Sequence, residues 1–456
     1  MADVRELLTQ LALETAKATL AAIDSGNLGR EQEDYTFREI VLLEGDGGKG
    51  WTGRTRQEAR EVWNIHDISR IAEEVWQQFE AVWETCAQEL TEQQRFTPKK
   101  DVPSIRGDLR EFRLEIVRKV ADSSSAGPVP DLVDRLLFEF RGGKLNWNGR
   151  LSLNGVTVSE PIEVKAGLIL RPATDQDLSS EGIPTIVLQS GWDFRNPPEI
   201  PDSILEVACS AYDRPDFRRE IVALSLFRVG AVEITQDDWR SDSIFPYKRG
   251  SRSGHQPTAR LAEPYTLTKA EGPALAAFLE GIPDDLPIKP LGHHDRPGLV
   301  GLKNYFRALL TATDVEERLG QAVASLEASL LAGSKTEVRN RVSLRAASLL
   351  RFNGLNPTKV YTETLDAYDL RSTYAHGGEF GAKQLQQAQD LCPRIMDYAR
   401  LTVVKFLQFP EKAERDEILK KLDLALLDDK ECQLLEGKLK GGLWDYALPA
   451  EGQQNP

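Results

Sequence analysis

With 456 residues, 41% of them hydrophobic, the chain can bury more than one core, and roughly two to four domains are expected. A formal net charge of −14 argues against broad nonspecific nucleic-acid binding, which needs a basic surface to release counterions. Any RNA-facing site must therefore concentrate positive charge locally. The four cysteines, Cys86, Cys209, Cys392 and Cys432, fit neither a disulfide framework nor a zinc motif. Together with the lack of any window of ~20 apolar residues, they point to a cytoplasmic chain without a membrane span.

The N-terminal stretch carries acidic residues inside an apolar pattern and predicts an amphipathic helix rather than a secretory signal. Further helices are expected over Arg56–Trp63, Ile68–Leu90 and Asp108–Ala121, making residues 1–125 a helical region. Ser123–Pro130 reads as a linker. From Leu145 the chemistry changes. Leu145, Trp147, Leu151, Leu153, Val156 and Val158 alternate with polar residues, and Asn154-Gly155 signals a hairpin. The runs Ile162–Pro172 and Ile183–Trp192 continue the strand pattern. A short helix is expected over Asp202–Ala211 and strands over Ile221–Thr235. Ser241–Glu263 reads as a polar loop. Residues 130–290 thus form a strand-rich mixed domain.

From Pro297 the spacing turns helical again. Leu302, Tyr305, Phe306, Leu309 and Leu310 mark a first helix. Thr313 and Glu316 form a capping-box signature for a second, striped by Leu319, Val323, Leu326 and Leu330. Ser334 and Glu337 form another for a third, striped by Val338, Val342, Ala346 and Leu349 and stopping near Gly354. A fourth helix runs from Pro357-Thr358 to His376, where Gly377-Gly378 ends it. A fifth spans Lys383–Phe409 with Pro393 as a kink. Residues 297–410 form this bundle, and 411–456 a helical tail with a frayed end. The expected fold is multidomain α+β.

Two motifs carry little. Gly45-x-Gly47-x-x-Gly50 follows the apolar run Ile40–Leu43 but lacks a βαβ context and the Lys-Ser/Thr ending of a phosphate loop, so a loop is the better reading. His293-His294-Asp295 has no third ligand cluster nearby and reads as a surface loop; His66 and His255 stand alone. No metal and no cofactor is expected.

The informative segment is Tyr368-Asp-Leu-Arg371-Ser-Thr-Tyr-Ala-His376-Gly-Gly, at the end of the fourth helix. An arginine and a histidine with four residues between them form a common pattern. With LEASLL (Leu326–Leu331) and VRNRVSLRAASLL (Val338–Leu350) upstream, in this order and spacing, the segment resembles the Apea-like branch of the HEPN superfamily. The likeness covers about residues 300–410. It implies an antiparallel helical bundle that dimerises, and a regulated endoribonuclease of the abortive-infection or toxin kind. Arg371 and His376 would be its catalytic pair. RNA, such as tRNA or another structured RNA, would be the substrate, and a phage-derived trigger or an antitoxin a further partner. The segment departs from that pattern at Ser372, where a more strongly polar residue is frequent, and at Pro393. A non-catalytic nucleic-acid or nucleotide-binding module, or a dimerisation bundle, is the alternative.

Elementary chemistry agrees with the catalytic reading. RNA carries its own nucleophile, the 2′-hydroxyl. Histidine titrates near neutrality and can move protons. Arginine stays charged and offers phosphate a planar fork. The two lie five positions apart on a helix, about 140° of rotation, so the site needs a loosened helix end or two chains. A homodimer through the fourth and fifth helices is expected, with Ser372 and Tyr374 lining the groove, or Tyr374 in the core.

Glu327 and Arg345 lie on the apolar sides of their helices. Either Glu327 orients Arg345 or Arg371, or both side chains snorkel to water. The window Lys335, Arg339, Arg341, Arg345, Arg351, Lys359 contains one acid, Glu337. It supplies the local positive charge, with Arg339 and Arg341 as RNA contacts, unless it is simply a solvated face.

Overall fold

The protein is seen here in a computed structural model that describes residues 3–45, 48–93, 101–174, 177, 183–184, 201–212, 214–245, 250–254, 264–283, 286, 297–331, 337–409, 412–441, 443 and 446, with 36–55, 183–184, 250–254 and 297–298 described at the backbone only. It is a mixed α+β fold.

The N-terminal helix α1 (Val4–Asp24) buries Leu8, Leu11, Ala12 and Ala16 on one side. That stripe packs with α2 (Ile65–Gln78), α3 (Glu80–Gln93), α4 (Val102–Ser123) and α5 (Val129–Phe140). The expected linker at Ser123–Pro130 is a tight turn with Ser124 in the left-handed region, and α5 closes the N-terminal core rather than opening the strand-rich domain. Trp76 and Trp83 stack in that core at 5.2 Å.

Arg56–Trp63 is not helical. It is the second half of β2 (Gly48–Trp63), paired antiparallel along its length with β1 (Arg30–Gly45). The composition favours helix, but cross-strand contacts override it: Arg30 faces Glu61 at 3.6 Å, and the Arg60 guanidinium lies 5.2 Å from the Tyr35 ring. The glycine motif closes this hairpin, with Gly45 opposite Gly48, so there is no crossover to hold a dinucleotide.

The main sheet has the order β10-β9-β3-β8-β6-β5, all neighbours antiparallel. Its strands are β3 (Leu145–Asn154), β5 (Ile162–Lys165), β6 (Leu168–Arg171), β8 (Ser203–Ala211), β9 (Glu233–Ser241) and β10 (Gly250–Gly254). Three expectations change here. Asn154-Gly155 is a sharp turn, Gly155 having φ +88, but not a hairpin. Strand β4 (Val156–Val158) leaves the sheet and pairs in parallel with β11 (Tyr265–Leu267), while β3 pairs with β8 and β9. Asp202–Ala211 is strand β8, held between β3 and β6, not a helix. Ile221 belongs to helix α6 (Arg218–Phe227), whose residues Val222–Phe227 are all buried; such a run has no periodicity to tell helix from strand. Of the Ile183–Trp192 run, β7 (Ile183–Pro184) pairs with β1. The remainder of that run, His255 and His293-His294-Asp295 lie outside the described residues, as do 246–249 and 255–263 of the expected loop, which also holds β10.

Two latches join the parts. The buried Glu139 carboxylate at the end of α5 accepts the Ile244 N–H at 2.8 Å and the Ser243 hydroxyl, and Ile244 and Phe245 enter the N-terminal core. The second latch is the C-terminus of α6. Its last four carbonyls have no intrahelical partners, and each receives a side chain from elsewhere. Leu224 accepts from the Tyr265 hydroxyl at 2.7 Å and Ser225 from the Tyr305 hydroxyl at 3.1 Å. Leu226 and Phe227 both accept from Arg400, at 2.9 and 2.8 Å.

Arg400 sits on α12 (Ala382–Leu407), where every residue from Ile395 to Leu407 is buried. Around it pack α8 (Pro297–Leu310), α9 (Val315–Leu330), α10 (Val338–Leu350) and α11 (Pro357–Ala375), joined by α7 (Gly272–Gly281) beneath the sheet. Sheet and bundle therefore share one continuous hydrophobic core. The tail is part of it: α13 (Lys412–Leu424) and α14 (Asp429–Leu439) bury Ile418, Leu419, Leu422, Leu435 and Leu439 there. Pro393 is tolerated inside α12 because it lies on the exposed side of the first half. Among the described residues, no helix is long and apolar enough to cross a membrane, and the four cysteines are free.

Candidate functional site

Helix α11 starts at an Asn356 cap whose side chain accepts the Lys359 N–H, with Pro357 in its first turn. It buries Val360, Thr364, Ala367 and Leu370. The opposite stripe, Thr362, Asp366, Asp369, Ser372 and His376, is exposed. The helix continues through Ala375, and His376 caps it, its N–H donating to Ser372 O at 3.2 Å. Gly377 (φ +76) then reverses the chain, with Gly378 N–H on Thr373 O. The helix end is thus closed rather than loosened, and within one chain Arg371 and His376 stay on different sides.

Arg371 turns inward. Its Nη1 meets Glu327 Oε2 of α9 at 2.8 Å, both side chains 28% exposed. Its guanidinium carbon lies 5.4 Å from the Tyr368 ring centre. Burial, and after it the Glu327 carboxylate, push the Tyr368 phenol above its ordinary value. A Cβ on Gly320 would come no closer than 4.0 Å to the stem of Arg371 and to the ring of Tyr374, so α9 passes close beneath this end of α11. Tyr374 is exposed, not core. Partial burial, then Asp314, Glu317 and Glu316 in the first turn of α9, raise its phenol pKa.

Of the two partners offered for Glu327, the structure selects Arg371. Arg345 is buried and serves the scaffold. It makes two bonds to Asp423 of α13, at 2.8 and 2.7 Å, and a third to Leu330 O at 2.6 Å. Neither Glu327 nor Arg345 snorkels. Arg415 takes the neighbouring carbonyls Ala328, Ser329 and Leu331, so two arginines cap the C-terminus of α9.

The basic window is likewise dispersed. Arg345 and Arg351 point into the tail, Arg351 donating to Ala425 O and Cys432 Sγ. Arg339 is exposed and pairs with Asp369 on the stripe that carries His376. Arg341 is half-buried, Lys359 is exposed, and Lys335 lies outside the described residues. One sequence window could not show this, because the pairing acids come from other helices. The capping boxes shift too. Asp314, not Thr313, caps α9 by accepting the Glu317 N–H, and Glu317 reaches back to the Thr313 N–H. Glu337 precedes α10 at φ +52 without a side-chain cap, and Ser334 is outside the described residues.

The residue that sequence reasoning passed over is Tyr368. Its signal was its place three residues before Arg371, on the same side of the helix. A separate cleft of about 500 Å³ opens on the sheet, lined by Asn148, Arg150, Glu206, Asp238 and Arg240 among others, and no residue of the motif lines it. Of its charges, Arg150 pairs with Asp238 at 3.3 Å, and Glu206 pairs with Arg171, outside the lining, at 2.8 Å.

No family model, curated protein or solved structure matches the chain.

Proposed function

We propose that the chain is a HEPN-type endoribonuclease, with Arg371 and His376 acting on a phosphodiester. The observation that carries this is the pairing of a fixed arginine with an open histidine at one helix end. Glu327 holds Arg371, and His376 stands exposed at the terminus of α11. In the reaction, His376 takes the proton of the 2′-hydroxyl as its oxygen attacks phosphorus, and the P–O5′ bond breaks. Arg371 neutralises the phosphoryl oxygens. The 5′-oxygen leaves with a proton from the second histidine of a dimer or from water, giving a 2′,3′-cyclic phosphate and a 5′-hydroxyl. Because the two groups lie about 140° apart on one helix, a two-fold pairing through the exposed stripe of α11 supplies the missing side of the site. Helix α12 can join only through its first half, since the second is buried within the protomer. In this reading the protein acts in phage defence or as a toxin, in the cytoplasm, with the N-terminal parts restraining it.

The experiment is RNA profiling after induction of wild type, Arg371→Ala and His376→Ala, with analysis of product ends and of mass in solution. Cyclic phosphate ends from wild type alone, made by a dimer, are expected. Equal growth arrest by wild type and His376→Ala would remove catalysis by this residue. A second reading, a non-catalytic module, draws on the acids Asp314, Glu316 and Glu317 beside Tyr374, which oppose phosphate at that flank.

A further inference from the structure

We propose that Tyr368 is a positioning residue for Arg371, an inference that rests on the ribonuclease reading above. A guanidinium is useful to a phosphate only when its plane and its free edge are both aimed. Two contacts set these separately. The Tyr368 ring, half-buried and with its centre 5.4 Å from the Arg371 Cζ, restricts the plane. The Glu327 carboxylate, 2.8 Å from Nη1, restricts rotation within that plane. The stem lies over α9 at Gly320, where an added Cβ would just reach van der Waals contact with it, at 4.0 Å. The Tyr368 hydroxyl adds hydrogen-bonding interactions with Arg371 and with Glu327, the smallest of the influences on its phenol. Tyr368 touches Arg371 and need not touch RNA.

Glu327 alone would permit the guanidinium to swing about the ion pair, since a single charged contact between partly exposed groups is weak. The aromatic face is what makes the arrangement rigid, and the phenol is the lesser part of it. Removing the hydroxyl and removing the ring should therefore have different effects.

The test compares Tyr368→Phe and Tyr368→Leu in the full chain, on a fluorophore–quencher RNA oligonucleotide, with thermal unfolding measured on the same samples. Tyr368→Phe is expected to stay within about twofold of wild type, whereas Tyr368→Leu loses at least ~10-fold in kcat with little change in KM, the mark of a misaimed group. Both variants should keep the wild-type pH profile, because neither touches the residue that moves the proton. A Tyr368→Leu protein with wild-type kcat overturns the proposal. So does a loss of activity that only follows the fraction unfolded. A wild-type protein that cleaves no RNA, with both variants equally inert, fails the ribonuclease reading itself and removes the role with it.

Discussion

The Glu327 carboxylate on α9 and the Arg371 guanidinium on α11 meet at 2.8 Å, the contact that ties the motif-bearing helix to its neighbour. Both groups are partly exposed, so the pair is expected to contribute roughly 0.5–1 kcal/mol of coupling. A double-mutant cycle of Glu327→Ala and Arg371→Ala, read by denaturant unfolding, should show it. The cycle of Glu327→Ala with Arg345→Ala should be additive, because Arg345 belongs to Asp423.

Arg345→Ala should lower stability by about 2–3 kcal/mol and leave turnover per folded molecule unchanged. It removes the bonds to Asp423 and uncaps Leu330 O, while touching nothing at the motif. Urea midpoints, compared with activity corrected for the folded fraction, check this. A loss of turnover in fully folded Arg345→Ala would return this residue to the site.

The α6 latch predicts that sheet and bundle unfold together. Tyr305→Phe deletes the hydroxyl that serves Ser225 O and should cost about 1–2 kcal/mol. Hydrogen exchange should then rise in β8 and β9 and in α8 and α12 alike. Arg400→Met should cost more, ~3 kcal/mol, since it removes the Arg400 side of the fully buried pair with Asp397 along with the bonds to Leu226 O and Phe227 O. Exchange that rises in the sheet alone would show two independent units.

Stability should fall at alkaline pH through two buried thiols. Burial pushes Cys86 up to about 12 and Cys392 up to about 11, from an ordinary value of 9.0. A raised folded pKa means that the folded chain keeps a proton the unfolded chain has released. The contribution is therefore fully present below pH 9 and is lost as pH rises toward 11 and 12. Cys86→Ala/Cys392→Ala should flatten the unfolding midpoint over that range. Native iodoacetamide labelling at pH 8.5 should leave both thiols largely unmodified.

Much of the bundle was legible without coordinates. The helices from Pro297 onward follow apolar stripes of 3.6-residue period, and local periodicity is set by a helix's own one-sided burial. The stop at Gly377-Gly378 was legible for a similar reason, because Gly377 reverses the chain at φ +76. The strand-rich domain was harder. Arg56–Trp63 and Ser203–Ala211 took their conformation from distant partners, and Val222–Phe227 was buried on all sides, so its apolar run named no element.

The sequence by itself determined that an arginine and a histidine would stand at the end of one bundle helix, since a five-residue spacing before a glycine stop follows from the order of residues alone. Only the tertiary structure decided what each charge does. Glu327 could have taken either arginine; helix packing brought it to Arg371, and placed Asp423, seventy-eight positions on, against Arg345. Ion pairs form between groups that packing makes neighbours, and no window of sequence contains the neighbours of a buried charge.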